Sequence, residues 1–148
     1  MTAIETAEFL PHRPQLVWRA LTDPVLLGRW LMDNDFEPIV GHHFTFSTRP
    51  VPAQGFTGVI DCEVLELDPP RRLKISWASG HLDTTVEWRL EVEGRGTRLF
   101  LKHDGFDETD PVQAATLKTL GGGWRGHMVS RLRALLEEDA ARASARRR

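Results

Sequence analysis

The side chains able to carry chemistry near neutral pH are few: six histidines and one cysteine. Cys62 stands in the apolar run GVIDCEVLEL with no motif pairing it to a base, and reads as a small buried side chain, not a thiolate nucleophile. His42 and His43 are strand neighbours that point to opposite faces and cannot chelate one ion together, while His12 and His81 fall in turns. No spacing of His, Cys, Asp or Glu matches a zinc or iron site, so neither a metal nor a cofactor is expected. Gly121–Gly123 lacks the preceding strand and the following Lys-Ser/Thr of a phosphate loop, and Gly94-Arg95-Gly96 reads as a hairpin turn. Glu63 and Glu87 lie on strands with outward parity. Two histidines remain. His103 shares the parity of Leu99 and Leu101, and His127 flanks Trp124 and Met128 on a helix. His103 reads first as a satisfied inward histidine; facing a pocket, it would anchor a polar group. The pair could pass protons to a carbonyl, but nothing in the sequence places them within reach of each other. No catalytic residue is assigned.

The aromatic residues are a second signal: five Trp, seven Phe and no Tyr. All five indoles fall where the local period points inward. Trp18 and Trp30 read as core; Trp77, Trp88 and Trp124 read either as core or as walls of a pocket, where an indole offers flat apolar area and one donor. Phe44, Phe46, Leu90, Leu101 and Met128 share the inward parity and join them as candidate ligand-binding residues beside His103 and His127. Met128 would adapt to varied ligands through its flexible thioether.

The elements that must position these residues follow from the hydrophobic periods. Thr2 to Leu10 reads as a strand. Pro14 opens a short helix with Val17, Trp18 and Leu21 on one face; Asp23 caps a second, with Pro24 at its first position and Val25, Leu26, Leu27 and Trp30 apolar. Met32 to Gly41 shows no period and reads as a loop. From His42 the period becomes two. Phe44 and Phe46 alternate, Pro50, Pro52 and Gly55 interrupt, and the run Phe56 to Leu67 changes face near Val64, as a bulge would make it. Leu73, Ile75 and Trp77, then Thr84 to Val92, then Leu99 to His103 each alternate with polar neighbours across tight turns. This is an antiparallel meander with one wet face. Asp110 caps a final helix with Pro111 at its first position, and Leu117, Leu120, Trp124, Met128, Leu132 and Leu135 form its apolar stripe. Gly121–Gly123 interrupt that stripe either as a break or to admit a close neighbour, and close approach with some loosening is the preferred reading.

Composition excludes several classes. At 148 residues with 41% hydrophobic and 27% charged side chains, the chain is one ordinary globular domain, residues 1–138, with an Ala/Arg-rich flexible tail at 139–148. Apart from Arg142 to Arg148, which hold four arginines and no acid, 15 basic residues face 21 acidic ones. Such a body cannot hold a nucleic acid by its overall field. No apolar run approaches the ~20 residues of a membrane helix, so no membrane insertion is expected. The N-terminal MTAIETAEF has acids where a signal peptide carries basic residues, and a lone cysteine suits a reducing compartment; a cytoplasmic location is expected.

The segments VWRALTDPVLLGRW, GHHFTF, GVIDCEVLELDPPRRLKISW, TTVEWRLEVEGRGTRLFLKHDGF and GGWRGHMVSRLRALL, in that order, resemble the SRPBCC (START-like, helix-grip) superfamily. Within it they are similar to the branch of homologues of the activator of heat-shock-protein-90 ATPase. The resemblance spans residues 4 to about 136. Its most specific pieces are Val17-Trp18 with Thr22-Asp23-Pro24 and Trp30, Pro69-Pro70 followed by Leu73 and Trp77, Gly96-Thr97 with Leu99, and Gly123-Trp124. It implies an α+β helix-grip (START/birch-pollen-allergen-like) fold: a curved antiparallel sheet of about six strands around a long C-terminal helix, with two short helices after the first strand. It implies also a cavity under that helix, of the kind that binds lipids, sterols, hormones or polyketides in relatives, some of which act as cyclases or aromatases. Co-chaperone activity in the branch belongs to proteins with an additional N-terminal domain, which these 148 residues do not contain. A fold does not supply a function. The expectation is a binding module for a small apolar or aromatic molecule, with a cyclase/aromatase-type enzyme or a protein-interaction module as alternatives; no protein partner is indicated.

Overall fold

The computed structural model describes residues 2–146, and their periods resolve into β1 (Thr2–Leu10), α1 (Pro14–Thr22), α2 (Pro24–Trp30), β2 (Asp33–Asn34), β3 (His43–Ser47), β4 (Val59–Asp68), β5 (Arg72–Ser79), β6 (Leu82–Glu93), β7 (Gly96–Phe106), α3 (Pro111–Arg125) and α4 (His127–Arg146). All strands join one antiparallel sheet in the order β1-β7-β6-β5-β4-β3-β2. The sheet therefore has seven strands where about six were expected. The extra one is β2, two residues inside the stretch read as a loop. It is too short to show a period and is held by tertiary contacts: Asn34 pairs with Phe46, and the neighbouring Asp35 carboxylate accepts from the Thr45 backbone N–H at 2.7 Å.

The caps act as the residue types dictate. Asp23 accepts from the backbone N–H groups of Val25 and Leu26, and Asp110 from that of Val112, each followed by proline at the first helical position. The ladder between β4 and β5 shifts register between Val64 and Glu66, where the change of face required a bulge. Inward parity holds along β5, β6 and β7, with Leu73, Ile75, Trp77, Val86, Trp88 and Leu101 buried. Val92 is the exception at 75% exposed, although Thr97, its partner across the β6–β7 ladder, is buried.

That layer is helical. Val17, Leu21, Leu27 and Trp30 from α1 and α2, with Leu132, Leu135 and Leu136 from α4, bury against the inner face, and the Trp30 indole donates to the Ala20 carbonyl at 2.9 Å. The C-terminal stripe is continuous, yet the helix is interrupted. Gly121–Gly123 stay helical, and the interruption falls at Gly126, where φ is -109° and ψ is -108°. A Cβ at Gly126 would lie 2.8 Å from the Gly122 carbonyl oxygen, a backbone atom that cannot yield. At Gly123 a Cβ would sit 2.6 Å from the Met128 methyl group, the end of a flexible side chain that can move aside, and Gly122 has no neighbour within 4 Å, so close approach to another backbone does not account for Gly121–Gly123.

The helix also continues beyond residue 138, where composition placed the start of a flexible tail. Asp139 is buried, and Arg19 Nη2 donates to both of its carboxylate oxygens at 2.6 and 2.8 Å. Arg147 and Arg148 lie outside the described residues. Asp139→Ala is expected to lower stability by about 1–2 kcal/mol, since a charge-assisted bond to a buried carboxylate is lost while Arg19 remains half exposed. Arg142→Ala, on the same helix but exposed, should change it by under about 0.5 kcal/mol. Equal melting temperatures for the two variants would show that the last turns do not belong to the fold.

Candidate functional site

The layer over the sheet does not close at one end. The first ten residues of α3 present Val112, Thr116, Thr119 and Leu120, at helical spacing, to a cavity of about 760 Å³. Its floor is the buried trio Ile60, Trp77 and Leu82 from β4, β5 and β6. The opposite wall is the connection between β3 and β4, which doubles back on itself: Val51 and Phe56 exchange backbone hydrogen bonds, and the Thr48 N–H donates to the Gly58 carbonyl at 2.8 Å. Gly58 is required there, because its φ of +91° disfavours any side chain and a Cβ would stand 2.6 Å from the Thr48 carbonyl oxygen. Arg49, His81 and His127, exposed while lining the cavity, mark its mouth.

The walls are mainly apolar, and the hydroxyls of α3 are already engaged. Thr116 donates to the Val112 carbonyl at 2.9 Å and Thr119 to that of Ala115 at 3.2 Å. His81 Nδ1 lies 2.7 Å from the Asp110 carboxylate, and that hydrogen bond is the main reason the Asp110 carboxyl titrates below its ordinary value. Among the described residues no group of three or more His, Cys, Asp or Glu is placed to hold a metal ion. The Cys62 thiol is buried, and burial, with Asp61 and Asp35 nearby, raises its pKa and keeps it protonated.

Of the ten candidate residues, Trp77 and His127 line this cavity. Phe44, Phe46, Trp88, Leu90, Leu101, His103, Trp124 and Met128 do not; they fill the closed core behind it. Trp77 belongs to both regions, with its ring 5.5 Å from Phe46, 5.2 Å from His103 and 5.8 Å from Trp124 between centroids. His103 is 0% exposed, and its hydrogen bonds determine its tautomer. An indole N–H can only donate, so the 3.1 Å bond from Trp124 Nε1 makes His103 Nδ1 the acceptor and leaves the proton on Nε2. Nε2 then donates to Thr84 Oγ1 at 2.8 Å, whose hydroxyl donates to the Trp77 carbonyl at 2.8 Å. Burial lowers the His103 pKa to about 3. Neither ring nitrogen is left to exchange a proton with a ligand, so the structure does not assemble a proton-transfer pair with His127.

The lining residues missed by sequence reasoning include Ile60 and Leu82 of the floor and Arg49, Val51, Phe56, His81, Thr116 and Thr119 of the mouth and walls. A signal existed on α3, where Val112, Thr116 and Thr119 prolong the apolar stripe with short side chains that leave volume over the sheet. The connection carried only Pro50, Pro52 and Gly55, which report a turn and not what it faces.

An antiparallel sheet covered by C-terminal helices, with two short helices after the first strand and a cavity between α3 and the sheet, defines the helix-grip, SRPBCC class. The family model described as Activator of Hsp90 ATPase homolog 1-like protein matches residues 11–137, and the chain belongs to that family. The solved structure of MLL2253 from Mesorhizobium loti is 33% identical with a TM-score of 0.82, covering 93% of this chain and 98% of that one. CalU16 from Micromonospora echinospora is 29% identical with a TM-score of 0.72, covering 98% and 82%. The Aha1 dimer from Colwellia psychrerythraea, at 22% identity and a TM-score of 0.72 over 91% and 96%, shares the fold. Comparison with proteins of curated function returns no match. No helix among the described residues is long and apolar enough to cross a membrane.

Proposed function

We propose that this chain is a small-molecule binding module whose ligand, apolar with a flat or aromatic body, occupies the cavity between α3 and the sheet. The observation that carries this reading is the cavity itself: about 760 Å³, floored by Ile60, Trp77 and Leu82 and walled by Val51, Phe56 and Leu120. That volume lies within the ~300–1,000 Å³ usual for ligand sites. Trp77 is buried in the floor beneath that space, and its closeness to a bound ligand makes its emission a reporter of occupancy.

Titration with 2-naphthamide, a neutral flat probe, is expected to quench tryptophan emission saturably with a Kd near ~1 μM, since ~8 kcal/mol is within reach of such a pocket. Thr116→Phe fills the cavity from a half-buried position of α3, and should weaken the probe at least about tenfold by calorimetry with little change in melting temperature. Equal binding by Thr116→Phe and the native chain would move the site elsewhere. Turnover of the bound molecule would place the protein with the cyclase/aromatase enzymes instead.

A further inference from the structure

We propose that the cavity selects ligands whose apolar body ends in a carboxylate, with Arg49 and His127 as the residues that recognise it. The inference rests on the binding reading above and adds the ligand's chemical class. It comes from the sign of the charges around the mouth. The lining contains Arg49, His81 and His127, and neither an Asp nor a Glu. Four of the imidazoles lie beside a carboxylate: His12 against Glu137, His42 against Glu37, His43 against Glu63 and, at the mouth itself, His81 against Asp110. Arg49 and His127 have no carboxylate within ion-pair distance among the described residues.

The lack of a partner does not by itself distinguish them, since Arg13, Lys74 and Lys118 also have no carboxylate within ion-pair distance among the described residues; Arg49 and His127 are set apart because they line the cavity. Neighbouring donors do not compete for the role. The Thr116 and Thr119 hydroxyl protons are held by carbonyls of their own helix, and His81 Nδ1 is already hydrogen-bonded to the Asp110 carboxylate. An amphiphile therefore has one favourable orientation, with its body over Trp77 and Ile60 and its carboxylate at the mouth. There a guanidinium can bind two carboxylate oxygens at once, and a ligand covering the apolar floor removes water from the pair and strengthens it.

The test compares 2-naphthoate with 2-naphthamide, which share shape and differ in charge. The native chain is expected to bind naphthoate about tenfold more tightly, a difference of ~1.4 kcal/mol, and to lose that preference in 0.5 M salt, where the screening length falls to a few ångströms. Arg49→Gln should remove most of the preference and the double variant Arg49→Gln/His127→Gln all of it, read as the ratio of naphthoate to naphthamide affinity on the same variant, because both side chains line the cavity and either probe can touch them. Both positions are exposed, so the variants should fold as the native chain does. Equal affinity for the two probes, or a preference that survives the double variant, overturns the carboxylate inference while leaving the binding module intact. Binding of neither probe overturns the binding module, and the carboxylate inference with it.

Discussion

Trp124→Ala is expected to lower stability by about 3–5 kcal/mol, the largest single-residue effect anticipated for this chain. The indole is buried on the sheet-facing side of α3, with ring centroids 5.8 Å from Trp77, 6.1 Å from Trp88 and 6.2 Å from His103. Truncation removes those contacts, leaves a void that close-packed neighbours cannot fill, and strips His103 Nδ1 of its donor. At this chain length the loss corresponds to a fall in melting temperature of about 10–15 °C. Trp124→Phe narrows the causes, because it keeps an aromatic ring against the sheet while deleting the N–H together with the smaller part of the indole; about 1–3 kcal/mol is expected. Since Trp124 does not line the cavity, Trp124→Phe should bind 2-naphthamide as the native chain does. An unchanged melting temperature for Trp124→Ala would mean that the indole does not key α3 to the sheet.

Acid lability through His103 is the second large effect. Its pKa is about 3 in the fold, lowered by burial, against about 6.5 when unfolded. Below pH 6.5 the unfolded chain takes up a proton there that the folded chain does not, so the stability contributed by neutral His103 is present above pH 6.5 and is lost as pH falls toward 3. By pH 5 the loss reaches about 2 kcal/mol, since each pKa unit is worth about 1.4 kcal/mol. Asp107, Asp110 and Glu138, whose carboxyls sit below their ordinary values through hydrogen bonds to Thr109, His81 and Arg29, act in the same direction at lower pH. His103→Gln provides the control. Its amide oxygen can accept from Trp124 and its amide nitrogen can donate to Thr84, yet it does not titrate. Denaturant midpoints measured between pH 7 and 5 should fall steeply for the native chain and much less for His103→Gln; parallel curves would assign the acid lability elsewhere.

Features that depend on spacing along the chain were legible without a structure. Asp23-Pro24 and Asp110-Pro111 cap helices because carboxylate geometry and the fixed φ of proline are local properties. The bulge at Val64 follows from a change of parity, and the inward face of His103 from its step of two from Leu101. The ordered motifs likewise carried the family and the helix-grip architecture. Tertiary structure decided the remainder. Parity tells which side chains face inward but not whether the space before them is filled: Phe46, Trp88, His103 and Trp124 close on one another, whereas Trp77 also meets open volume where α3 stands off the sheet. The cavity is drawn from four separated segments, and Arg49, Phe56, His81 and Thr116 share it only through the strand order that brings their turns to one end. Asp139 shows the same dependence on distance. In an Ala/Arg-rich sequence it resembles a solvated tail residue, and it becomes part of the fold because the helix carries it to Arg19, 120 positions earlier in the chain.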